Sequence, residues 1–105
     1  MTVSLGLKHR QTGEYRDVPL SPSEPFRKRW IPAAHALGLE LVPHLHDGTF
    51  TVVANEDIPK ILEELERLRE YVAGKSELAW IAQRIDHIVA TFESTDPAQW
   101  EYDFG

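Results

Sequence analysis

The chain has 105 residues, 42% of them hydrophobic and 27% charged, and no cysteine. That is enough to bury one core, too apolar for a disordered chain, and it excludes disulfides and thiolate metal sites. Seventeen acidic against eleven basic residues give a formal charge of -6, and no basic stripe stands out, which speaks against a nucleic-acid partner.

The acidity is concentrated. Residues 1–38 hold six Lys/Arg against three Asp/Glu, a balance of +3, whereas residues 39–105 hold five against fourteen, a balance of -9. Such a field favours basic partners, although solubility alone also explains it. The N-terminal stretch lacks a basic leader followed by an apolar run, and no window approaches the roughly 18 apolar residues of a membrane span. A single domain over residues 1–105, cytoplasmic and with no membrane contact, is the expectation.

Val3, Leu5 and Leu7 alternate with Ser4, Gly6 and Lys8, the period of a half-buried strand. After a turn, Tyr15 to Leu20 reads as the returning strand, with Pro19 placing it at an edge. Residues 21–38 read as helical, with Ser23 as cap, Pro25 in the first turn and Gly38 as a left-handed stop. Pro32 removes an interior donor, so a kink or two short helices are expected there, with Phe26, Trp30, Ala33 or Ala34, and Leu37 buried.

Residues 39–54 read as a hairpin. Leu39, Leu41 and Leu45 share one face and Glu40, Val42, His44 and His46 the other, with the turn at Asp47-Gly48 and Phe50, Val52 and Ala54 continuing the pattern. A helix capped by Asn55 or Asp57 follows, its stripe formed by Ile58, Ile61, Leu62, Leu65, Leu68 and Val72, with Gly74 at the stop. Leu78, Ile81, Ala82, Ile85, Ile88, Val89 and Phe92 mark a second amphipathic helix, antiparallel to the first across a short link. Trp100, Tyr102 and Phe104 alternate with Glu101 and Asp103, so the last residues read as a docked strand with an aromatic face. The sum is an α+β fold: a mostly antiparallel sheet of four to five strands with two long antiparallel helices and one kinked helix packed on it.

Chemistry is sparse. His44 and His46 would lie on one side of a strand, but a catalytic zinc needs a third protein ligand that nothing nearby supplies, and a solvated histidine face is the competing reading. No nucleophile elbow or phosphate-cradling loop is present, so no catalytic residue, no metal and no cofactor is assigned. Trp80, Arg84 and His87 fall at i, i+4 and i+7, opposite the apolar stripe of their helix, a composition suited to a binding hot spot; the alternative is that Trp80 packs beneath Phe26 or Trp30. Glu63, Glu66 and Glu70, with Glu101 and Asp103, form an acidic supply for a basic partner, or a solvated surface with supporting pairs such as Glu63 to Arg67.

The order FRKRWIPAAHALGLEL, HDGTFTVV, DIPKILEELERLREYV, IAQRIDHIVATFES and WEYDFG resembles small immunity proteins of bacterial polymorphic toxin systems, over residues 26–105. The resemblance implies a non-catalytic α+β protein that binds a cognate toxin domain and occludes its active site, without transferring any functional residue by motif. The contact residues it leaves to be tested are Trp80, Arg84, His87, Glu63, Glu66, Glu70, Glu101 and Asp103. Two other readings stand beside it: a homodimeric adaptor using the same tryptophan, and a metal-dependent enzyme built on His44 and His46.

Overall fold

A computed structural model describes residues 2–46, 50–52 and 54–105. Its class is α+β. Four strands, β1 (Thr2–His9), β2 (Tyr15–Pro22), β3 (Phe50–Val52) and β4 (Trp100–Phe104), form one antiparallel sheet in the order β2-β1-β4-β3. The C-terminal strand therefore lies inside the sheet, between β1 and β3.

The alternation read from β1 holds: Val3, Leu5 and Leu7 are buried on the face that also carries Trp100, Tyr102 and Phe104. Edge strand β2 accommodates Pro19, whose missing amide has no ladder bond to make. Opposite Val3 and Ser4 the register slips, leaving Leu20 as the extra residue of a bulge, fully buried.

The first helical segment is built in three pieces: α1 (Ser23–Pro25), a π-helical turn (Phe26–Trp30) and α2 (Ile31–Leu37). Pro32 sits in the first turn of α2, where the widened turn makes room for its ring and the lost donor costs least. Phe26 and Trp30 stack at 5.4 Å, and both are buried. Ser23 does not cap this segment; Pro22 takes the cap position without any side-chain hydrogen bond, so Ser23 lies one residue too late to serve. Gly38, at φ 70°, ends α2 as expected, in a paired motif where Leu39 N–H donates to Ala34 O and Gly38 N–H to His35 O.

The strand expected over residues 39–46 is absent. Leu39, Val42 and Leu45 are the buried positions, spaced by three rather than two, and Val42–His44 forms a 3-10 turn. Pro43 lacks the donor a strand would need. The Asp47-Gly48 turn lies outside the described residues.

Two long antiparallel helices follow, α3 (Ala54–Ala73) and α4 (Ala79–Ser94), joined through a 3-10 turn at Ser76–Leu78. Helix α3 already includes Asn55 and Asp57, so neither precedes it as a cap, and Glu56 and Asp57 instead place negative charge in its first turn. Ile61, Leu65, Leu68 and Val72 from α3 and Ile81, Ile85, Ile88 and Phe92 from α4 are buried in the same core as the inner sheet face. Phe92 meets the sheet directly, with ring centroids 5.0 Å from Tyr102 and 6.4 Å from Phe104. Among the described residues no helix is long and apolar enough to cross a membrane.

Candidate functional site

The helices cover the inner face of the sheet, and the outer face carries Ser4, Gly6 and Lys8 of β1, Tyr15 and Asp17 of β2, and Glu101 and Asp103 of β4. Gly6 pairs in register with Asp17 on one side and Asp103 on the other. Its missing side chain matters here: a Cβ at this position would lie 2.5 Å from Asp103 Oδ1 and 2.6 Å from Tyr15 Oη. The two side chains thus converge over bare backbone. Partial burial, and then repulsion from Asp17, push the Asp103 carboxyl above its ordinary range. Desolvation first, then Asp103 and Asp17, raise the Tyr15 hydroxyl likewise. Glu101 instead is compensated by Arg10 at 3.1 Å.

On the helical side, Trp80 is half-buried rather than free, its ring edge-on to Trp30 at 6.4 Å. The packing alternative for this tryptophan therefore describes it better than an open hot spot. Its remaining surface borders a groove with Glu24, Pro25, Lys28, Arg29 and Glu77. Arg84 and His87 are exposed on the same helix.

Glu63, Glu66 and Glu70 are exposed along α3. The pair expected between Glu63 and Arg67 does not form, because Arg67 Nη2 donates to Leu37 O at 3.0 Å and closes the end of α2. Between α3 and α4 runs a groove of about 420 Å³ lined by Leu62, Glu66, Arg69, Ile85, Asp86, Val89 and Glu93. Arg69 spans one end in a two-pronged bond to Asp86, at 2.6 and 3.2 Å. Neither Glu66 nor Glu93 has an ion-pair partner among the described residues. The sequence-derived contact residues thus divide between the outer sheet face and the helical layer and do not form one surface.

Sequence reasoning missed Glu64. Only 4% exposed, it accepts hydrogen bonds at Oε1 from Leu41 N–H at 2.9 Å and Val42 N–H at 3.2 Å, anchoring the segment that was expected to be a strand. Its position beside Leu65 on the apolar side of a glutamate-rich helix was the available signal. His44 and His46 are both exposed, and His46 sits 5.6 Å from the Phe26 ring. The 3-10 turn removes the strand face that the two histidines were expected to share. No group of three or more His, Cys, Asp or Glu side chains suited to a metal occurs among the described residues.

Comparison of the chain with protein-family models, curated proteins and solved structures finds no match.

Proposed function

We propose that this chain is a non-catalytic protein-binding module, an immunity protein that neutralises a cognate, basic toxin domain by occluding its active site. The observation that supports the reading is the set of exposed carboxylates on the helical layer, Glu63, Glu66, Glu70 and Glu93, none of them in an ion pair among the described residues although Lys60 attracts Glu63, on a chain whose residues 39–105 hold a balance of -9. Carboxylates at i, i+3 and i+7 on one helix repel each other, a local cost that a cationic partner removes. Electrostatic complementarity of this kind accelerates encounter and selects partners more than it adds raw affinity. The absence of cysteine supports a cytoplasmic location within the same reading.

The test is to read the gene directly upstream and, where it encodes a secreted protein with a toxin-like C-terminal domain, to co-express that domain with this chain. A stoichiometric complex that survives gel filtration and restores growth is the expected result. A toxin domain whose toxicity is unchanged and which never co-elutes sinks the proposal. The adaptor alternative predicts a dimer by light scattering, independent of any toxin.

A further inference from the structure

Leu62 and Val89 are apolar and only partly covered, and beneath them Ile85 is fully buried, so the groove between α3 and α4 has a greasy floor. Glu66 stands on one wall and Glu93 on the other. Both are exposed, and neither is paired among the described residues. The Arg69–Asp86 bridge neutralises one end and leaves the rest of the groove negative. We infer that this groove docks an amphipathic, cationic segment of the partner protein, its apolar side chains on Leu62 and Val89 and its Lys or Arg side chains reaching Glu66 and Glu93.

The inference rests on the protein-binding reading and names its surface. A helical segment is the natural occupant, since two packed helices present ridges and a shallow trough into which a third can lie. A second copy of this chain is a poor occupant: a two-fold contact through the groove would gather Glu66, Glu93 and both of their copies into one patch, between two chains that each carry a charge of -6. The outer sheet face competes less well. Its Glu101 is already paired with Arg10, and partial burial together with Asp17 disfavours charge on Asp103.

The probe is a designed helical peptide of about 18 residues with Leu on one face and Lys and Arg on the other, beside a version with Glu in place of the basic residues. Titration into the full chain, followed by amide chemical shifts, should perturb Leu62, Glu66, Val89 and Glu93 first, with affinity falling as salt rises. Glu66→Gln with Glu93→Gln, both at exposed positions that leave the core untouched, should weaken binding about tenfold. Glu101→Gln with Asp103→Asn should leave it unchanged. Equal affinity for the groove double variant, equal binding of the acidic peptide, shifts confined to the outer sheet face, or a self-associated state that buries the groove would each overturn the inference. The two proposals separate cleanly. A toxin complex in which amide exchange at residues 62–69 and 85–93 is no slower than in the free chain removes this groove and keeps the immunity reading. Peptide binding in the groove with no toxin partner does the reverse.

Discussion

Glu64 holds two backbone donors that nothing else satisfies. The amides of Leu41 and Val42 open a 3-10 turn with no side-chain cap of its own, and the carboxylate of a residue more than twenty positions later accepts both. Buried donors left without an acceptor cost more than the bond itself is worth. Glu64→Ala should therefore lower unfolding free energy by about 2–3 kcal/mol in urea, and Glu64→Gln, which keeps one acceptor oxygen, by about half as much. Equal stability of Glu64→Ala and the parent chain would show that the turn holds without this anchor.

Asp103 makes the opposite kind of contribution. Its carboxyl is pushed up by partial burial and by Asp17, so the protonated form is favoured in the fold more than in the unfolded chain. The stabilisation attached to that proton is complete below the ordinary carboxylate range and is lost as pH rises through the raised value. Asp103→Asn should accordingly melt higher than the parent at pH 7 and converge with it under acid conditions. Asp17→Asn, which removes the repulsion that adds to burial, should bring the Asp103 titration back toward its ordinary range, as followed by carboxyl NMR.

At the scale of elements, the α3–α4 hairpin is closed on its solvent side by Arg69 and Asp86. The guanidinium beside Asp86 holds that carboxyl below its usual range, and the pair contributes at pH values above the ordinary carboxylate range. Its contribution fades as pH falls through the lowered value. Both side chains are about half exposed, at 46% and 52%, so the effect is small and screened by salt. Asp86→Asn should reduce the melting temperature slightly at pH 7 in low salt and not at all in molar salt.

These elements also show what could be read beforehand. Helices α3 and α4 announced themselves because their apolar residues repeat over many turns, and β4 because three aromatics alternate with acids. Residues 39–46 misled because alternation by two and spacing by three share Leu39 and Leu45 over so short a run; the choice between them was made by Pro43 and by the distant Glu64. The convergence of Tyr15 and Asp103 over Gly6 depends on a register across three strands, which no local pattern encodes. The groove was half legible: Glu66 could be named, but its neighbour Glu93 belongs to another helix.

For the molecule as a whole, the decisive feature is that the last strand completes the sheet from within. Without β4, β1 presents an open inner edge and β3 loses its partner. Trp100, Tyr102 and Phe104 are 7%, 2% and 1% exposed, so the same five residues give the core three buried aromatic side chains, two of them against Phe92 of α4. Replacing one buried aromatic by alanine costs about 3–5 kcal/mol, while a domain of this size has about 5–15 kcal/mol in total. Tyr102→Ala should thus remove about 3–5 kcal/mol, and Tyr102→Phe, which loses only the 2.7 Å hydroxyl bond to Thr95, about 1 kcal/mol. Deleting residues 100–105 removes three such side chains and the pairing of two strands together, more than the fold holds in reserve. The truncated chain should lose near-ultraviolet dichroism and amide dispersion while keeping part of its helical signal from α3 and α4. A truncated chain that still melts cooperatively would show that β1, β2 and the helices form a core sufficient without the strand between them.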